Sequence, residues 1–155
     1  MALPFKTASL DLVTSFDVLY MKGIDDEKSL GEFGRVLVLG GRVLLRLPAY
    51  DWLRGAHDRA LETGRRYTIR DIRGIIEKTD LVIEHLSCAN MWLFPLAVAK
   101  RWSERFLPSQ GGSDLSIEWG FLNGLFKGIL SSEASIISRY RLPFGLTVIA
   151  VARKP

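Results

Sequence analysis

The sequence predicts an α/β fold, one sheet layered with helices, and three observations predict it. Short apolar segments with β-branched residues alternate along the chain with segments whose apolar residues recur at helical spacing. Residues 35–48, Arg35-Val-Leu-Val-Leu-Gly-Gly-Arg-Val-Leu-Leu-Arg-Leu-Pro48, read as a last helical turn, a two-glycine turn and a buried strand. The composition, 48% hydrophobic and 25% charged over 155 residues, suits a single core.

Leu10-Asp11-Leu12-Val13-Thr14-Ser15-Phe16 is the first strand expected, after a turn at residues 6–9. Asp25 is placed to cap a helix, with Asp26 and Glu27 in the first turn, where the helix dipole favours anions. Leu30, Phe33 and Leu37 form its apolar face. Gly40 suits the left-handed position just past a helix end, and Gly41 lets the chain reverse. Val43-Leu44-Leu45-Arg46-Leu47 then reads as a strand covered on both faces, closed by Pro48.

Residues 49–66 read as a loop with a short helix. Thr68 and Asp71 make a variant capping box for a helix carrying Ile69, Ile72 and Ile76, with Asp80 as its left-handed cap. A strand follows at residues 82–87 and a helix at 92–106, with Pro95 in its first turn. Residues 107–114 are the clearest loop. Helical segments follow at 119–129 and 133–140, separated by Ser131 and Ser132, and residues 146–152 are the last strand.

Composition also narrows the functional classes. The longest apolar run, residues 91–99, falls far short of the roughly 20 residues that span a bilayer. One cysteine, Cys88, makes no internal disulfide and reads as a small buried hydrophobe. Two histidines and that cysteine, scattered, are too few for a zinc site, so no metal is expected. A cytoplasmic setting is the expectation, with a position at the membrane surface as the alternative. The net charge of +4 permits attraction to nucleic acid or anionic lipid. The arginines between Arg54 and Arg73 alternate with Asp51, Asp58, Glu62 and Asp71, however, which favours a self-paired surface and no nucleic-acid partner.

Four stretches carry a resemblance to a known family. They are Leu3-Pro4-Phe5 followed by Leu10-Asp11-Leu12-Val13, the 35–45 segment, His57-Asp58 followed by Arg65-Arg66-Tyr67-Thr68, and Leu142-Pro-Phe-Gly-Leu-Thr-Val-Ile-Ala-Val-Ala-Arg-Lys-Pro155. In this order they resemble the class I S-adenosylmethionine-dependent methyltransferases of the small-molecule type. The resemblance implies a partial Rossmann-like sheet of strands ordered 4-5-7-6, the last antiparallel, with flanking helices. The chain would be one incomplete domain, residues 1–155, lacking the N-terminal cofactor-binding half with its glycine-rich loop and acidic ribose ligand. Gly40-Gly41 lies after a helix and before a strand, the reverse of such a loop. Val38-Leu39, Met21 and Thr79-Asp80-Leu81 also depart from the family pattern.

The resemblance implies further that Leu3, Phe5, Ser15 and Phe16 border S-adenosylmethionine, with Asp17 near its charged end. Tyr50, His57, Arg66 and Tyr67 would border the methyl acceptor, a small or lipid-like molecule. His57 is the candidate general base, its ordinary pKa being near 6.5. Each position has a structural alternative: a packed strand end for Ser15 and Phe16, an apolar anchor for Leu3 and Phe5, a loop cap for Asp17, and a hydrogen-bonded loop ordered by Asp58 for the rest. The helix at 92–106 is expected to pack on the sheet, an interfacial helix being the alternative. The strand edge Leu10–Phe16 would lose its neighbour, so self-association or pairing with a separate N-terminal half is expected there. Such a chain would be inactive or partner-dependent alone. The other readings are a non-catalytic α/β module that pairs with another chain, and a membrane-surface accessory protein.

Overall fold

A computed structural model of the chain describes residues 2–55, 58, 63–106 and 120–155. Its elements are β1 (Leu10–Phe16), α1 (Asp26–Val36), β2 (Leu37–Pro48), a 3-10 turn (Asp51–Leu53), α2 (Ile69–Ile76), β3 (Val82–Ala89), α3 (Phe94–Phe106), α4 (Gly120–Ile137) and β4 (Thr147–Arg153). The four strands form one sheet in the order β1-β2-β4-β3. β1 and β2 are parallel, and β4 runs antiparallel to both β2 and β3. β1, β2 and β3 therefore end at the same edge of the sheet. This is the α/β fold, the mixed sheet and the strand order that the sequence predicts.

Side chains alternate between the two faces of the sheet. On one face lie Val43, Leu45 and Leu47 of β2, paired across with Ala152, Ala150 and Val148 of β4, and beyond them Leu86 and Cys88 of β3. All are buried. α1 and α2 cover this face with Leu30, Phe33, Ile72, Ile75 and Ile76. The other face carries Leu12, Phe16, Arg42, Leu44, Arg46, Ile149, Val151 and Arg153. Leu12 is 57% and Phe16 48% exposed there. The expectation that β2 is covered on both faces is thus corrected: one face is covered and the other is half open.

Local signals set the helix starts. Asp25 accepts from the Lys28 N–H at 3.0 Å, and Thr68 with Asp71 forms a complete capping box. The ends differ from expectation. α1 closes at Val36, capped by extended Leu37, whose N–H reaches the Phe33 carbonyl. Gly40 is left-handed, at φ +79°, but inside β2. The register jumps there from Leu10↔Leu37 to Leu12↔Arg42, so residues 38–41 form a bulge. The Gly40 N–H and Gly41 carbonyl pair with Lys154, and a Cβ on Gly41 would lie 2.9 Å from the Val38 carbonyl.

Asp80 is not left-handed. α2 closes through Glu77 in right-handed helical geometry, and the Thr79 hydroxyl donates to the Ile76 carbonyl. Residues 120–137 are one helix, since Ser131 and Ser132 take helical geometry and do not interrupt it. Among the described residues α3 does not pack on the sheet as expected. It lies against the 3-10 turn instead, with Trp92, Leu96 and Trp102 outward.

Candidate functional site at the carboxyl edge of the sheet

Three non-glycine residues take left-handed backbone where the parallel strands end. Asp17 follows β1 at φ +54°, Tyr50 lies two residues past β2 at +56°, and Asn90 follows β3 at +61°. Such geometry persists only where the surroundings enforce it, and it clusters at functional sites. The edge where several strands end is also where open α/β sheets bind ligands.

At β1, Ser15 is 4% exposed and its hydroxyl has no hydrogen-bond partner. A buried unpaired hydroxyl costs about 1–3 kcal/mol, and this one lies on the helix-covered face with its register partner Leu45. Beside it, the Asp17 carboxylate takes the Arg46 guanidinium, and Arg46 lies 5.6 Å from the centroid of the Phe16 ring.

At β2, Tyr50 opens a group of four rings. Phe94 packs on Tyr50, Trp52 and Phe144 with centroids 5.7, 5.9 and 5.3 Å away, and Tyr50 meets Trp52 at 5.8 Å. Burial, followed by the nearby Cys88 thiol, pushes the Tyr50 phenol up to about 12, so it stays protonated as a donor. Burial also raises the Cys88 thiol, which leaves it un-ionised and a poor nucleophile. Gly145 fits here because a Cβ would collide with the Ala89 carbonyl.

The wall behind this edge is polar and fully paired. Arg66 donates to both Asp58 oxygens at 2.9 Å and to the Ala49 carbonyl at 3.1 Å, and the Gly55 N–H donates to Asp58 at 2.7 Å. Burial works to raise the Asp58 pKa, but those donors overcome it and hold the carboxyl below its ordinary value. Tyr67 is 0% exposed and donates to the Leu19 carbonyl and to Asp26. Arg66 and Tyr67 thus stand behind the surface and position it.

The structure brings Ser15, Phe16, Asp17 and Tyr50 to one edge, with Arg66 and Tyr67 behind them. Leu3 and Phe5 are elsewhere. The Leu3 N–H donates to Glu32, and the Leu3 and Phe5 carbonyls accept from Arg35, late in α1. This lies toward the amino edge, most of the length of a seven-residue strand, about 20 Å, from Phe16. His57 lies outside the described residues. Gly40-Gly41 also sits at the amino edge, against Asp11 and Lys154, away from any ligand at the strand ends. Among the described residues no cluster of His, Cys, Asp or Glu could hold a metal.

Three contributors escaped sequence reasoning. Asn90 donates to the Thr147 hydroxyl at 3.1 Å from its strained position. Glu133, 2% exposed, accepts from the Met91 N–H at 3.1 Å and so fixes the turn into α3. Phe144 joins the rings from the last connection. An asparagine just after a strand and a lone carboxylate in an apolar helix were the available signals.

No protein-family model and no curated protein matches the sequence. Solved structures do match, and among them are S-adenosylmethionine-dependent methyltransferases of the class I fold and also the cyclase SpnF. One is a chain of the Haloferax volcanii complex between the Trm112 methyltransferase activator and a partner described as a methyltransferase. It is 19% identical with a TM-score of 0.55, and the match covers 99% of this chain and 57% of that one. Another is the Streptomyces coelicolor geranyl diphosphate C-methyltransferase, 16% identical with a TM-score of 0.55, over 99% and 51%. A third is the Haemonchus contortus phosphoethanolamine N-methyltransferase 2, 20% identical with a TM-score of 0.53, over 97% and 34%. The chain carries the α/β fold of these enzymes and spans about half their length or less. Fold alone does not assign chemistry.

The residues present do not fit S-adenosylmethionine by themselves. The cofactor needs close backbone approach for its charged portion and a carboxylate for its ribose. This chain offers a Ser15 hydroxyl buried on the helix-covered face, an Asp17 already engaged by Arg46, and no glycine turn at the strand ends among the described residues.

Proposed function

We propose that this chain is the acceptor-side half of an S-adenosylmethionine-dependent methyltransferase, competent when a second polypeptide segment completes the sheet beside β1. One observation carries the reading. β1 ends the sheet with an unpaired outer edge among the described residues, and the sheet face beside it is half open, in a chain about half as long as its methyltransferase neighbours. A neighbour solved with an activator protein supports dependence on a partner.

In this reading the completing segment supplies the glycine loop and the ribose carboxylate. Ser15, Phe16 and Asp17 form the near wall of the cofactor crevice. Tyr50 borders the acceptor and His57 is the candidate general base, while Arg66 and Tyr67 hold the Tyr50 wall in place. Catalysis in such a crevice is chiefly the alignment of donor and acceptor. A non-catalytic module that pairs through the same edge is the second reading, favoured by the poor fit to the cofactor.

Calorimetric titration with S-adenosylmethionine tests this. The chain alone is expected to show no micromolar binding. The chain coexpressed with the reading frames that flank its own is expected to bind. Micromolar binding by the chain alone would remove the need for completion, and no binding in either case would leave only the non-catalytic module.

A further inference from the structure

α3 carries apolar residues on both sides, and one side faces water. Inward lie Phe94, Ala97 and Val98, with Arg101 donating to the Leu53 carbonyl at 3.0 Å. Outward lie Trp92, Leu96 and Trp102, at 53%, 60% and 65% exposure, together with exposed Pro95 and Ala99. Pro95, Leu96, Ala99 and Trp102 recur at i, i+1, i+4 and i+7, which places them along one side of the helix, and exposed Trp92 lies in the turn that leads into it. An apolar stripe of that regularity normally faces a core or lipid.

The residue types are equally unusual. Tryptophan is highly buried on average, yet all three described tryptophans, with Trp52 at 56%, are more than half exposed. Trp52 and the 41% exposed Phe144 continue the patch into the ring group at the strand ends. Exposed Lys100 flanks the stripe, and the chain carries a net charge of +4. A second copy would bring a like charge to this face, whereas an anionic bilayer brings the opposite one. Tryptophan pairs an apolar body with one N–H donor, and lysine an apolar stem with a cation. Both suit the boundary between lipid headgroups and acyl chains.

We propose that the outer face of α3, with Trp52 and Phe144 beside it, seats this protein on an anionic lipid bilayer. Among the described residues no helix is long and apolar enough to cross a membrane, so the attachment is peripheral. The inference does not depend on methyl transfer. If both hold, the ring group opens toward the lipid, and the acceptor reaches Tyr50 from the bilayer.

Flotation with vesicles of mixed phosphatidylcholine and phosphatidylglycerol tests the proposal, with tryptophan emission as a second readout. The chain is expected to float and its emission to shift to the blue. Trp102→Glu, on an exposed helical position where glutamate is a good helix former, is expected to keep the circular dichroism spectrum and bind about tenfold more weakly or worse. If that variant unfolds, Leu96→Gln reads the same face. Failure to float would overturn the proposal. So would flotation unchanged in a folded stripe variant, because the basic residues alone would then be responsible. A dimer split by Trp102→Glu, without flotation, would overturn it in favour of a contact between copies.

Discussion

Leu44 and Leu45 are neighbours on β2 with opposite surroundings. Leu45 is 1% exposed, opposite Ala150 and beneath the helices. Leu44 is half-buried on the other face, opposite Val151 and Thr14. The same contrast runs through the polar groups. Behind the carboxyl edge, Arg66 and Asp58 are 15% and 9% exposed in their side chains and share several further hydrogen bonds. On the open face, Glu84 bridges Arg42 and Arg153, at 33% to 53% exposure. One face is finished, while the other is apolar and basic with no cover among the described residues.

Substitutions can break this contrast. The largest effect is expected from Leu45→Ala, which opens a cavity under α1 and α2 and costs about 2–5 kcal/mol, against about 1 kcal/mol or less for Leu44→Ala. Urea denaturation measures both, and equal losses would show that the second face is covered in solution. Next, Asp58→Asn leaves Arg66 without its carboxylate and is expected to cost about 2–3 kcal/mol. Glu84→Gln weakens two exposed ion pairs that water screens, so it is expected to cost much less. The urea midpoints of the two variants check the difference.

Acid sharpens the comparison further. Glu32 is lowered to about 2, by the Arg35 guanidinium and then by the Leu3 N–H. Asp58 lies below its ordinary value of 3.8 for the reasons given above, and Glu84 below 4.5, chiefly through Arg42. In each case the folded pKa is below the unfolded one. The stability these groups contribute is therefore present above the unfolded value and lost as pH falls through the folded one. The urea midpoint is expected to drop steadily from about pH 5 toward pH 2. Asp58→Asn should flatten that slope more than Glu84→Gln does.

The smallest effect expected is a gain. Gly31 lies inside α1, where an added Cβ would meet nothing within 4 Å. Gly31→Ala should stabilise by about 0.5–1 kcal/mol through helix propensity alone. A loss in a urea titration would show that something packs on that side of α1.

Much of the fold was legible because it rests on local chemistry. Asp25 and the Thr68–Asp71 box announce helix starts through side chains that satisfy nearby N–H groups. The β-branched runs at residues 10–16 and 146–152 announce strands. The candidate site was legible only in part. Ser15, Phe16 and Tyr50 lie at or just past strand ends, but Asn90, Glu133 and Phe144 meet the site from residues far apart in the chain. No local pattern encodes that meeting.

The sequence by itself determined the order of elements and the helix N-caps, since both follow from contacts within a few residues. The resemblance it carries also gave the strand order. Tertiary structure decided where the two glycines act, because the bulge at residues 38–41 exists only when β1 and Lys154 are beside it. It decided that Leu3 and Phe5 lie far from Ser15, since Glu32 and Arg35 hold them toward the other end. It decided which strand face is covered and which side of α3 meets water, because a side chain's exposure depends on what the rest of the chain leaves uncovered.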